Sequence, residues 1–104
     1  MKSFACHRLY ETADKYLGQS VVTVNDNGEV VSFSSLDSEV RHTTWIGGVI
    51  ILSSLREFVR RDDFTDTLHA LTGEGGCPLY AWHVSDFDFL NDAFTAQSIL
   101  SLLH

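Results

Sequence analysis

The residues of this chain best suited to chemistry are five histidines, His7, His42, His69, His83 and His104, together with Cys6 and Cys77. Imidazole and thiolate are the usual ligands of zinc, and zinc sites hold them at short, recognisable spacings. No pair here is a His-x-His, a His-x3-His or a Cys-x2-Cys. Cys6 and His7 are adjacent, so a strand points them to opposite faces. The expectation is no metal, with the histidines exposed or hydrogen-bonded. His83-Val84-Ser85-Asp86-Phe87-Asp88 contains every member of a Ser-His-Asp triad. On a strand, however, His83, Ser85 and Phe87 share one face and Asp86 and Asp88 the other, so the triad cannot form locally. A Gly-x-Ser-x-Gly elbow is missing as well. Asp86 and Asp88 fit paired carboxylates less well than a solvated turn.

Gly73-Glu74-Gly75-Gly76 precedes a strand instead of opening a helix, and it lacks the lysine of a phosphate-binding loop. Cys77 follows as a loop thiol with no basic sequence neighbour to lower its pKa. The expected catalytic residues, metal ligands and cofactors are therefore none. The remaining candidates are aromatic. Trp45, Tyr80 and Trp82, with Phe33, fit either a core, where large rings dominate burial, or an exposed sheet face that binds a partner or ligand.

These residues are positioned by a β-rich framework. Gln19 to Leu52 is its centre: two Val-rich runs flank Asn25-Asp26-Asn27-Gly28, and Asn and Gly tolerate the positive φ that tight hairpins need. Val22, Val24, Val31 and Phe33 are the expected inward face. Val40 to Trp45 alternates like a half-exposed strand, and Gly47-Gly48 breaks the pattern. Val49 to Leu52 is continuously apolar, as a central strand buried on both faces should be. Upstream, Ser3 to Leu17 reads either as a strand followed by a loop or single turn, which is preferred, or as a helix with Leu9, Ala13, Tyr16 and Leu17 on one face and Gly18 as its C-cap.

Downstream, Ser54-Leu55-Arg56-Glu57 matches a capping box, which predicts a short helix bearing Leu55, Phe58 and Val59 on one stripe, with Arg60 and Arg61 at its C-terminus. A second helix is predicted over about 64–71, with Asp62 or Asp63 as cap, Phe64, Leu68 and Leu71 on one face, and Gly73 as the stop. Leu79 to Val84 is a strand with Tyr80, Trp82 and Val84 on one side. The tail from Phe87 to His104 reads either as an amphipathic helix, with Leu90, Phe94, Ile99 and Leu102 loosely spaced, or as a loop and a last strand within 98–103; the turn chemistry at Asp86, Asp88, Asn91 and Asp92 favours the strand. The fold class that follows is α+β, mainly β: a small β-sandwich or curled antiparallel or mixed sheet, with two short helices between residues 54 and 72.

The totals narrow the functions. A chain of 104 residues is one domain, 1–104, and its 44% hydrophobic content is that of a folded core and not of a disordered segment. Its 14 acidic against 7 basic residues leave a net charge of −7. That balance argues against nucleic acid and anionic membranes, which need clustered cations. The longest apolar run, Trp45 to Leu55, is far short of the roughly 20 residues that span a bilayer. Met1-Lys2-Ser3-Phe4 leads into mixed sequence with no apolar leader, so the expected location is cytoplasmic, with Cys6 and Cys77 reduced.

Taken together, a short strand near Leu9-Tyr10, a Val-rich strand, Asp26-Asn27-Gly28-Glu29-Val30-Val31 and a closing Trp45-Ile46-Gly47-Gly48-Val49-Ile50 resemble the N-terminal composite domain of the metal-dependent hydrolase (amidohydrolase) superfamily. The resemblance covers roughly residues 4–52 and implies a small β-sandwich that, in the family, flanks a catalytic (β/α)8 barrel. The family's closing segment runs on through an Asp to a His-x-His pair that ligates the metal. With Gly47-Gly48 at the family's Pro-Gly position, the Asp falls on Ile51 and the histidines on Ser53 and Leu55. Neither Ser53 nor Leu55 holds zinc as imidazole does, and the rest of the chain is too short for a barrel. The resemblance thus implies the sandwich without its enzyme.

The resulting expectation is a non-catalytic domain acting through protein association, as a homo-oligomer or with a protein partner, and binding neither nucleic acid nor membrane. Two alternatives stand beside it. One is a hydrolase, using His83 with an Asp or completing a separate barrel chain. The other is a small-ligand module near Trp45 and Trp82.

Overall fold

The structure is a computed structural model that describes residues 1–36, 43–73, 76 and 78–104. Its elements in chain order are β1 (Lys2–Cys6), β2 (Arg8–Thr12), β3 (Lys15–Leu17), β4 (Ser20–Val24), β5 (Val30–Ser35), β6 (Thr43–Trp45), β7 (Val49–Ser53), α1 (Phe64–Thr72), β8 (Tyr80–Val84) and β9 (Leu100–Leu102). The class is α+β, mainly β, as the residue pattern predicts. The strands form a four-stranded sheet in the order β5-β4-β1-β6 and a five-stranded sheet in the order β3-β2-β7-β8-β9. Both are mixed: β1 pairs in parallel with β6, and β2 with β7, while the other pairings among these strands are antiparallel.

The two sheets share three bent stretches of chain. β1 passes into β2 through His7 alone, β3 into β4 through Gly18-Gln19, and β6 into β7 through Ile46-Gly47-Gly48. At this corner Ile46 N and Gly47 N both donate to Ala5 O, at 2.9 and 3.2 Å, and His7 N donates to Gly48 O at 3.1 Å. Gly47 and Gly48 adopt φ of 65° and 66°, a left-handed conformation that side chains with a Cβ resist. A Cβ on Gly48 would also collide with the Val84 carbonyl oxygen. Far from the corner the sheets are stitched by Val30 N donating to Leu79 O at 2.7 Å and by a bridge between Glu29 and Tyr80.

Alternation along the strands then creates two cores. Cys6, Leu9, Val22, Val24, Ile50, Leu52 and Ala81 meet between the sheets. On the other face of the five-stranded sheet Tyr10, Val49, Ile51, Trp82 and Val84 pack under Phe64, Leu68 and Leu71 of α1. The five-stranded sheet is therefore the middle layer, and β7 is its middle strand, buried at every position. This is the environment that its unbroken apolar run predicts.

The hairpin joining β4 and β5 forms at Asn25–Gly28, where Gly28 N donates to Asn25 O at 2.9 Å and Gly28 takes φ 81°. Asn25 Oδ1 accepts from Asn27 N and Glu29 N, at 2.9 and 3.0 Å. One expected inward residue differs. The register steps from Thr23↔Ser32 to Val24↔Val30, so Val31 is the extra residue of a bulge and is 50% exposed. A bulge breaks the period of two, which places Val30 with Phe33 against the core in its stead.

One helix forms among the described residues where two are predicted. α1 (Phe64–Thr72) matches the second prediction in position and in its apolar face; Asp63 stands at the N-cap without a side-chain capping hydrogen bond, and Gly73 follows the last turn. Residues 54–61 carry no helix, and the capping box does not set their conformation. The stripe of Leu55, Phe58 and Val59 is too short to hold a helix by packing, since isolated short helices are marginal. Leu55 and Phe58 instead press individually on the core beneath α1. The Leu55 carbonyl accepts from Trp82 Nε1 at 2.9 Å, and Val59 is 87% exposed. The predicted strand over 40–45 is seen as β6 from Thr43; Val40, Arg41 and His42 lie outside the described residues.

Candidate functional site

The corner that joins the two sheets also assembles the most unusual surface of the molecule. His7, at the bend between β1 and β2, points its Nδ1 at the backbone N–H of Gly48, 3.0 Å away. An Nδ1 that accepts leaves the proton on Nε2. From the other side His83, on β8, places Nε2 3.0 Å from Gly47 O. The Gly47-Gly48 peptide is thus held between two imidazoles. His83 is half-buried, and desolvation lowers its pKa against the opposing effect of the Gly47 carbonyl.

Outward from His7 runs a row of rings. Its imidazole meets Trp45 edge to face with centroids 4.8 Å apart and Phe89 at 5.2 Å. Phe89 lies 5.4 Å from the Arg8 guanidinium, which also covers the Tyr16 ring at 4.8 Å. Arg8 Nη1 donates to Asp92 Oδ1 at 2.6 Å and to the Tyr10 hydroxyl at 3.3 Å. The Arg8 side chain is only 18% exposed. Burial works against its charge, and the bonds to Asp92 and Tyr10 outweigh that cost, so its pKa is raised. Trp45 and Tyr16, at the two ends, are 50% and 55% exposed. The row Trp45, His7, Phe89, Arg8, Tyr16 is therefore open at its ends, with Arg8, between Phe89 and Tyr16, fixed by an ion pair.

The loop after β8 delivers Phe89 to the row and Asp92 to its ion pair. Asp88 Oδ1 accepts from Leu90 N and Asn91 N, at 3.0 and 3.2 Å, and its Oδ2 accepts from Asn91 Nδ2 at 2.9 Å. These bonds from Asn91 hold the Asp88 carboxyl below its usual range. Asp88 and Ala93 also exchange backbone hydrogen bonds, and Asp86 and Asp92 adopt left-handed φ of 51° and 49°. The aspartates are turn residues, as their composition predicts, and the turn they build aims Phe89 and Asp92 at Arg8.

Of the three aromatic candidates read from sequence, only Trp45 lies in this row. Tyr80 and Trp82 are 7% and 5% exposed. Trp82 packs edge to face with Phe58, and Arg56 covers the Tyr80 ring at 5.5 Å. His7, Arg8, Tyr16, Phe89 and Asp92 complete the site without a local sequence signal, because they converge from separate stretches of the chain. The one hint in the sequence is that Arg8 and Tyr10 are two apart, and so share a strand face.

The residues considered for catalysis are engaged elsewhere. Ser85 Oγ accepts from Ile99 N at 3.2 Å. Cys6 is wholly buried, and burial pushes its thiol up to about 11. Ser53 Oγ donates to Leu71 O at 2.6 Å and accepts from Leu55 N at 3.1 Å. His69 sits on the exposed side of α1 and His104 is exposed as well, while His42 and Cys77 lie outside the described residues. Among the described residues no three of His, Cys, Asp and Glu come together as a metal site, and no helix is long and apolar enough to cross a membrane. Comparison with known proteins finds no match to this chain among family models, curated proteins or solved structures.

Proposed function

We propose that this chain is a non-catalytic domain that acts through protein association, and that the row of rings at the sheet corner is its contact surface. The observation that carries this reading is the exposure of Trp45 and Tyr16 at the ends of a fixed, contiguous array. Trp, Tyr and Arg are the residue types that dominate binding energy at protein interfaces, above all where their positions are set before binding. A partly exposed pair such as Arg8–Asp92 contributes about 1 kcal/mol or less to stability, so its main effect here is to hold the rings in place.

The resemblance of residues 4–52 to the composite sandwich of amidohydrolases supports the same reading. At the place where that family leads into its metal-binding strand, this chain leads into β7, whose Ser53 is spent on Leu71 and Leu55. His83, the histidine best placed for hydrolysis by sequence, is spent on Gly47.

The test compares the wild-type chain with Trp45→Ala. Light scattering across a concentration series reads self-association, and cross-linking in cell extract reads partners. At least one specific complex should form with the wild type and be lost in the variant. A strict monomer that captures nothing dependent on Trp45 overturns the proposal. So does stoichiometric zinc in protein purified without chelator, or a hydrolytic activity abolished by His83→Ala.

A further inference from the structure

We infer that the corner row comes apart in acid: the neutral imidazole of His7 holds it together, and a proton on that ring releases it. The inference rests on the association reading above only for its consequence, the loss of a partner.

The Gly47-Gly48 peptide group is gripped at both ends by imidazoles that play opposite parts. Gly47 O only accepts, so His83 Nε2 bears a hydrogen and donates to it at 3.0 Å. An imidazolium carries a hydrogen on each nitrogen, so a charged His83 keeps this bond. Gly48 N–H only donates, so His7 Nδ1 is the acceptor, at 3.0 Å. A charged His7 has no acceptor to offer there. Its new Nδ1–H faces the Gly48 N–H, donor against donor, and the ring must turn or leave. Imidazole is the side chain that changes charge in the range from about pH 5 to 8.

Position makes that departure matter. His7 joins Trp45, at a centroid distance of 4.8 Å, to Phe89, at 5.2 Å. Once it moves, Trp45 is parted from Phe89, Arg8 and Tyr16, and the contiguous array is lost. The charged groups around the ring do not compensate. Among the described residues no carboxylate pairs with His7. Asp92 is spent on Arg8 at 2.6 Å, and the Arg8 guanidinium covers Phe89, so a second cation on His7 adds repulsion. His83, the other titrating group at the corner, donates in both of its forms. The Trp45 ring attracts a cation, but an imidazolium held there keeps the donor clash at Gly48. The backbone of the corner survives the change, because His7 N still donates to Gly48 O, and Ile46 N and Gly47 N to Ala5 O, whatever the charge of the ring.

The experiment is nuclear magnetic resonance of the intact, isotope-labelled chain titrated from about pH 8 to 5. Long-range proton–nitrogen spectra read the tautomer and charge of each imidazole. At the alkaline end His7 should carry its hydrogen on Nε2. As it charges, the Gly48 amide proton should shift upfield with the same midpoint, and the Trp45 indole resonance should move with it. His7→Asn, whose Oδ1 takes the place of Nδ1 and does not titrate, should hold both resonances still, while His83→Gln should leave the transition in place. Circular dichroism verifies the fold of each variant. The Trp45-dependent complex of the wild-type chain should weaken on the order of tenfold as His7 charges, and the His83→Gln chain should show the same loss.

An Nδ1–H tautomer of His7 at the alkaline end overturns the inference, as does a Gly48 amide that stays in place while His7 charges. A transition abolished by His83→Gln assigns the effect to the other imidazole and overturns it too, and so does a Trp45-dependent complex of undiminished strength when His7 is charged. If both resonances follow His7 but no complex forms at any pH, the association reading fails and the acid release of the ring stands.

Discussion

At the scale of single residues, the corner depends on two glycines and two histidines. Gly48→Ala forces a Cβ into the Val84 carbonyl at a φ of 66°, and it should cost about 2–4 kcal/mol. Gly18→Ala, in open space at the neighbouring bend, should change stability by less than about 1 kcal/mol. Urea unfolding midpoints of the two variants check the contrast. His83 gives the corner a pH dependence. Its pKa is lowered in the folded chain, so the unfolded chain binds more protons, and stability falls as pH drops below about 6.5. His83→Gln, which keeps an N–H near Gly47 O, should show a smaller loss between about pH 7.5 and 5 in the same assay. Little of this corner is legible in the sequence. Two glycines visibly break a strand, but not that His7 and His83 lie on either side of them, because that pairing depends on where distant strands dock. Trp45 is legible as a candidate through its residue type alone. Arg8 is not, since a lone arginine on a short strand reads as a solvated charge.

Among the elements, β7 and α1 carry the clearest link from sequence to structure. The unbroken run Val49 to Leu52 demands burial on both faces, and β7 has it because the four-stranded sheet covers one side and α1 the other. α1 itself is nine residues long, too short to persist alone, and is held by Phe64, Leu68 and Leu71 on β7 and its neighbours. Ser53 ties the end of β7 to the last turn of that helix. Ser53→Val strips the Leu71 carbonyl and the Leu55 N–H of their partner, and should cost about 1–3 kcal/mol. Amide exchange should then quicken first in 68–72. The stretch 54–61 shows the limit of local signals. Its capping box is a genuine pattern, yet Leu55 and Phe58 gain more by filling separate gaps against the core than by sharing a helical stripe. The bulge at Val31 is a second case, for one extra residue reverses which side chains face inward and leaves no mark in an alternating run of Val, Ser and Phe.

For the whole molecule, the two cores share the strands of the middle layer, so neither can melt while the other persists. Ile50→Ala, between the sheets, and Leu68→Ala, under the helix, should each cost about 2–5 kcal/mol. Both should shift one common unfolding transition, with tryptophan fluorescence and far-ultraviolet dichroism coincident. Separate transitions for the two probes would contradict a shared middle layer. The parallel pairs also set an order of assembly. β1 and β2 leave the ribosome before β6 and β7, so Ser3 must wait for Thr43 and Arg8 for Val49 before either parallel pairing exists. Contacts so far apart in the chain are slow to close. The hairpin of β4 and β5 and its antiparallel pairing with β1 need no later strand. The N-terminal strands stay half-paired until β7 emerges, and a pause between residues 36 and 53 would hold the nascent chain with its inter-sheet core open to other proteins.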